Sequence, residues 1–300
     1  MKFTGALFGP LMMAVAMALF AVNDAALKWL SVEGGLPLFQ ILLIRSLAIT
    51  LIMLIVCTVS IGWRRLTLEL RKPAYLLFGL AEVAVAFPYI YALKLLPLQT
   101  AQPIIKLNPL FAVLLGLLFF GQKSNWLRWI AIGLGLSGVL AIVDPFGGFA
   151  VSWLVLLPML SALILGSRDA VTNRFGTRLN PFVVAFSMGW TMAVATSIAQ
   201  AFNVDGTWQP LSVELIQVIA LLCVVTPAAY VTRVLAIQRG EMSAIAPMVY
   251  TGMLWAMLFG VVIFGDPLGW GQVLGAAMIA CGGLILIWFD RPRLSADAKP

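Results

Sequence analysis

A chain that repeats its own residues at a fixed spacing is built from related units, and this 300-residue sequence does so. Residues 91–143 lie over residues 235–287 without a gap, at an offset of 144. Ala92/Ala236, Pro103/Pro247, Ala112/Ala256, Gly116/Gly260, Phe120-Gly121/Phe264-Gly265, Trp126/Trp270 and Gly138/Gly282 coincide. Pro, Trp and Phe-Gly are not background residues of Leu/Ala-rich helices, so chance overlay is a poor account of them. In an apolar chain, such symmetry marks a transporter whose two halves enclose a site near the bilayer midplane.

The chain is apolar throughout: 62% of its residues are hydrophobic and 10% charged. Runs of about 18–24 apolar residues, the length that crosses a bilayer, predict ten helices. They cover 7–30, 38–61, 75–95, 100–120, 126–143, 153–171, 182–202, 214–237, 244–264 and 270–288. The first run leads into Asn23, Asp24 and Lys28 rather than a small-residue cleavage site, so it reads as a true span. The polar stretches 62–72, 203–214 and the tail from 290 are too short for a soluble core. The expected architecture is all-α and integral to the membrane: one five-helix repeat over 1–148, a second, inverted one over 149–290, and a tail at 291–300.

Inversion follows from the cations. Lys2, Arg64, Arg65, Arg71, Lys72, Lys123, Arg128, Arg174, Arg178, Arg239, Arg291, Arg293 and Lys299 fall on one side of these spans. Glu33, Asp144, Asp205, Glu214 and Asp266 fall on the other, with Lys28 and Lys94. The positive-inside rule puts the first side and both termini in the cytoplasm of a bacterial-type inner membrane. The pI near 9.6 is then a matter of topology and calls for no nucleic-acid partner. Adding 144 turns Lys123 and Arg128 into Pro267 and Gln272, and Arg64, Arg65, Arg71 and Lys72 into Trp208, Gln209, Leu215 and Ile216. An odd number of spans per half inverts the second half, and orientation charges are lost there as inversion requires.

Several segments resemble those of the ten-helix EamA-type transporters of the drug/metabolite transporter superfamily. They are Asn23-Asp24-Ala25-Ala26-Leu27-Lys28-Trp29, Arg45, Tyr91-Ala92-Leu93-Lys94-Leu95-Leu96-Pro97, Asn108-Pro109-Leu110-Phe111 and Phe120-Gly121. The family pattern often has Glu after that Gly, where Gln122 and Asp266 stand here. The resemblance implies that spans 1 to 4 and 6 to 9 surround a central cavity, with spans 5 and 10 peripheral. It also implies export of amino acids, related metabolites or toxic compounds, or uptake of nucleotide-like metabolites.

A charge at mid-membrane costs roughly 2.5–3.5 kcal/mol on the insertion scale, so the polar residues within spans are the functional candidates. Asp24 and Arg45 lie at similar depth on adjacent spans and read either as a buried ion pair or as a gate. The repeat, shifted by one residue, puts Asp24 over Asp169, and at 144 it puts Tyr89 over Arg233. Two gates are expected, one of Asp24, Arg45 and Tyr89 and one of Arg168, Asp169 and Arg233. Between them Glu82, Lys106, Asn108 and Tyr250, the repeat mate of Lys106, are the expected substrate contacts. A carboxylate, an ammonium and a phenol suit a zwitterion, although Glu82 and Lys106 neutralising one another is an equal reading. Pro103 and Pro247 are the expected hinges because they recur in the repeat. Trp190 and Trp255 are deep enough to stack on a substrate. Glycines 133, 135, 138, 275, 282 and 283 suit either a dimer seam or packing within one subunit.

Absences narrow the chemistry. With no histidine in the chain, a His relay and a His-ligated metal are excluded. Cys57, Cys223 and Cys281 fit neither a disulfide framework nor a zinc site. No phosphate loop or catalytic triad spacing appears, so no cofactor is expected. Were transport proton-coupled, Asp24, Glu82 or Asp169 would carry the proton. The expected function is export of a small zwitterionic metabolite by alternating access. Uptake of a cationic metabolite such as S-adenosylmethionine, or cationic drug efflux, is the alternative. An intramembrane enzyme is the reading from another class.

Overall fold

The computed structural model describes residues 3–119, 126–143, 153–175, 179–202, 204, 206–239 and 246–289. Over them the chain forms α1 (Phe3–Val32), α2 (Leu38–Ile61), a short α3 (Trp63–Leu70), α4 (Pro73–Leu95), α5 (Leu98–Ile105), α6 (Asn108–Phe119) and α7 (Trp126–Val143). After the 3-10 turn Trp153–Val155 come α8 (Leu156–Phe175), α9 (Pro181–Ala201) and α10 (Val213–Arg239). The 3-10 turn Ala246–Tyr250 then leads into α11 (Thr251–Phe264), and α12 (Trp270–Phe289) follows. Helices α1, α2, α4, α9 and α10 contain stretches of 20 to 25 residues apolar enough to cross a membrane, the shorter apolar stretches Trp129–Ile142, Trp153–Arg168, Met248–Phe264 and Trp270–Ile285 supply four more spans, and α5 with α6 makes the tenth.

The fourth and ninth expected spans are not continuous helices. Pro109 has no N–H to give the Ile105 carbonyl, so the ladder cannot run through this point. The chain tightens instead: Lys106 N–H donates to Pro103 O and Leu107 N–H to Ile104 O, each at 3.1 Å. Helix α6 restarts with Pro109 in its first turn, where the missing donor costs nothing. At the corresponding place in the second half, the 3-10 turn ends at Tyr250 and α11 begins at Thr251. Interrupted helices at matching positions of two halves are where transporters of this build place their sites.

The packing obeys the repeat. Helix α1 packs on α10 and on α11, and their counterparts repeat this as α8 on α4 and on α6. Helix α2 packs on its own mate α9, and α7 on its mate α12. The α7–α12 seam fixes the relative direction of the halves. A Cβ added at Gly138 would lie 2.6 Å from the Gly275 carbonyl oxygen, and one at Gly282 would lie 2.7 Å from that of Ala131. Residue numbers rise along α7 as they fall along α12, so the mates run antiparallel. Adding 144 to Ala131 and Gly138 gives Gly275 and Gly282, so one contact becomes the other when the halves exchange. Gly138, Gly275 and Gly282 are thus spent on close helix approach within the subunit. The chain is an all-α integral membrane protein of ten spans in two inverted five-helix repeats.

Side-chain bonds tie neighbouring helices where the apolar surroundings offer no other partner. Ser161 Oγ in α8 donates to Val85 O in α4 at 2.8 Å. Gln40 in α2 donates to Gln209 O and accepts from Gln209 N–H, both at 2.9 Å. Between the spans, α3 buries Leu66 and presents Glu69, which accepts from Lys72 Nζ at 2.6 Å and Tyr75 Oη at 2.7 Å. The Lys72 ammonium and the Tyr75 hydroxyl hold the Glu69 carboxyl below the usual glutamate range. Tyr75 Oη in turn accepts from Asn180 N–H at 2.9 Å, joining this corner to the start of α9.

Candidate functional site

A cavity of about 210 Å³ opens between the two halves. Asp24, Arg45, Glu82, Tyr89, Lys106, Asn108, Arg168 and Arg233 all line it. Expected at three depths, these residues meet in one space, because long arginine and lysine stems carry their heads well away from their backbones. A wider apolar hollow of about 340 Å³ between Leu42, Phe87 and Leu157 is lined by no charged side chain.

The lining is itself quasi-symmetric. Glu82 and Thr226, Ala86 and Tyr230, Tyr89 and Arg233, and Ile105 and Val249 are mates at 144, and Asn23 and Arg168 are mates at 145. The cavity therefore sits where the two halves face one another, and its chemistry differs from mate to mate.

Helix α1 delivers Asn23 and Asp24 together, both buried. The Asp24 carboxylate accepts from Tyr89 Oη at 2.8 Å, from Asn23 Nδ2 at 2.9 Å and from Gln102 Nε2. No ion pair joins it to Arg45, so of the two expected readings the buried pair is not the one seen. Asn23 stands between them: its Oδ1 accepts from Arg45 Nη1 at 3.3 Å and from Thr226 Oγ1 at 2.7 Å. Glu82 pairs with Arg168 at 3.2 Å and accepts from Tyr230 Oη at 3.2 Å, so it does not neutralise Lys106. Lys106 lies at the helix break and reaches the Met17 sulfur at 3.9 Å, a weak acceptor.

Three expected contacts lie elsewhere. Trp190 is 39% exposed and Trp255 37% exposed, and neither lines the cavity. Trp255 stacks on Phe259 instead, at 6.1 Å between ring centroids. Tyr250 is buried in an apolar cluster against Gly283, and its hydroxyl has no hydrogen-bond partner. Pro103 is buried within α5, one turn before the break, and Pro247 lies in the 3-10 turn before α11. The side chains of Asp169 and Pro247, and the Phe120-Gly121-Gln122 segment, lie outside the described residues.

Gln102, Thr226 and Tyr230 are site residues that the sequence reading missed. The offset that picked out Arg233 also points from Glu82 to Thr226. Thr226, Tyr230 and Arg233 form a polar stripe at i, i+4 and i+7 on an otherwise apolar helix.

Beyond the cavity the bundle is closed at the end where α1 terminates. Lys28 Nζ donates to Leu96 O at 3.1 Å, meets Asp266 at 3.4 Å and lies 4.7 Å from the Phe264 ring centroid. Gly265, at φ 62°, ends α11 in the left-handed cap that glycine favours and turns Asp266 back toward Lys28. Gln99 Nε2 adds a bond to Pro267 O at 3.3 Å. Elements of both halves are thereby fastened together.

Two inverted repeats, helices broken at matching positions and a charged cavity between the halves define a membrane transporter. Comparison with known proteins agrees. The model of the EamA-like transporter family matches residues 7–144 and again 152–288, and the chain belongs to that family. It is similar to a riboflavin transporter of Rhizobium johnstonii, with 23% identity covering 98% of this chain and 95% of that one. An S-adenosylmethionine uptake transporter of Rickettsia bellii is 22% identical, covering 92% and 91%. The aromatic amino acid exporter YddG of Salmonella typhimurium is 25% identical, covering 62% and 65%. A solved crystal structure aligns over 98% of this chain and 99% of its own with a TM-score of 0.63, at 21% identity.

Proposed function

We propose that this protein is a secondary transporter of a bacterial-type inner membrane, with both termini cytoplasmic. It exports a small metabolite bearing a carboxylate, an amino acid or a derivative, by alternating access. The observation that carries this reading is the cavity between the halves, where Lys106 and Arg45 offer donors to an acid beside the Asp24 network. In the proposed orientation the Lys28–Asp266 pair lies on the periplasmic side, where it would hold that end of the bundle shut while an exporter loads from the cytoplasm. Opening would break the Lys28 closure and form its counterpart near Arg168 and Asp169, with Pro103 and Pro247 flexing beside the breaks. The lining charges weigh against the cationic solutes that the likeness to an S-adenosylmethionine transporter suggests.

The test is uptake and counterflow in proteoliposomes, with and without a pH gradient, together with single cysteines near Asp24 and near Asp169. Substrate should change the accessibility of the two cysteines in opposite directions. Parallel changes sink alternating access at these gates, and a product released in place of unchanged solute would show an enzyme.

A further inference from the structure

The lining carries four cations, Arg45, Lys106, Arg168 and Arg233, against two carboxylates, Asp24 and Glu82. Both carboxylates are already engaged. Glu82 is held by Arg168 and Tyr230, and Asp24 by three neutral donors, Tyr89, Asn23 and Gln102. The cations are not matched in the same way. Among the described residues, neither Lys106 nor Arg233 has a carboxylate within ion-pair distance, and Lys106 hydrogen-bonds only to a thioether. Arg45 meets an amide oxygen, and its Nε, buried, has no partner. Lys106 stands within electrostatic reach of Arg233, a like charge, and of the Asp24 carboxylate, whose single charge cannot balance both cations. Arg45, Lys106 and Arg168 are half-buried and Arg233 is exposed, and a net positive lining at membrane depth is costly unless water or an anion offsets it.

We propose that the transported solute is an organic anion with at least one more acidic group than basic groups, whose acids are held by Lys106, Arg45 and Arg233. This deepens the transporter reading and rests on it. Asp24 already accepts from three donors and fixes Asn23, whose carbonyl oxygen aims the Arg45 guanidinium. The donors that remain, an ammonium and two guanidinium groups, recognise carboxylates and phosphates alike.

The experiment is ligand-dependent thermal stabilisation of the purified protein in detergent, with leucine, lysine, glutamate, succinate and glycerol 3-phosphate as a panel graded by charge. Glutamate, succinate or glycerol 3-phosphate should raise the melting temperature where leucine and lysine do not, and the responding probes say whether carboxylate or phosphate is read. Lys106→Gln should weaken the anion's apparent affinity about tenfold, the size expected for one charge-assisted bond. Lys106→Arg should keep most of it. Arg233→Gln gives the same readout from an exposed side chain should the Lys106 variants fail to fold. Stabilisation by leucine or lysine equal to that by the anions overturns the proposal, as does a panel in which no anion acts. Counterflow of leucine alone would overturn it while leaving the transporter reading in place.

Discussion

At the scale of single residues, the Lys28–Asp266 pair shows what a buried charge demands. The Lys28 side chain is 9% exposed and that of Asp266 20% exposed. Asp266→Asn leaves the ammonium with the Leu96 carbonyl and a ring face alone, and should cost about 3 kcal/mol. Adding Lys28→Met removes the stranded charge and should restore most of that loss, read as melting temperature in detergent. The same cost made Asp24, Arg45, Glu82 and Lys106 legible in the sequence, because a charge in an apolar span needs a reason. Their partners were not legible: which groups meet depends on side-chain reach, and Asn23 intercepts Arg45 before it arrives at Asp24. Thr226 went unnoticed for the opposite reason. Its hydroxyl also bonds the Leu222 carbonyl of its own helix at 2.8 Å, so a threonine there costs little and signals little.

At the scale of elements, all ten spans were legible as apolar lengths, and the two interruptions were not. Hydropathy runs unbroken through Lys106, whereas the break is a backbone event set by the donor that Pro109 lacks. The lipid-facing positions of Trp190 and Trp255 escaped for a related reason, since helices apolar all round give no phase from which to tell cavity from bilayer. Glycines in α7 divide sharply by surroundings. Gly138→Ala gains about 1 kcal/mol of helix propensity but drives a Cβ into the Gly275 backbone, an overpacking worth about 1–3 kcal/mol. It should therefore destabilise. Gly133→Ala, with nothing within 4 Å of the added carbon, should stabilise by up to about 1 kcal/mol. Both are read by thermal unfolding, and equal effects would show that the seam is not close-packed.

At the scale of the whole molecule, the inverted two-fold was readable from the lost cations, and the antiparallel α7–α12 seam now gives it a physical form. Spin labels at Ile130→Cys and Leu284→Cys, both on exposed flanks of that seam, should keep one separation in every state. Labels at Leu95→Cys and Val262→Cys, near the end closed by Lys28, should move apart when Asp266→Asn breaks the closure. Seam labels that shift as far as the others would contradict this picture. The carbonyl-to-glycine contacts at Gly138 and Gly282 leave no room for α7 to slide along α12. In the alternating access proposed above, the seam would serve as a fulcrum: the two halves would exchange their open ends by tilting about a line that stays still, and solute would cross as over the beam of a balance.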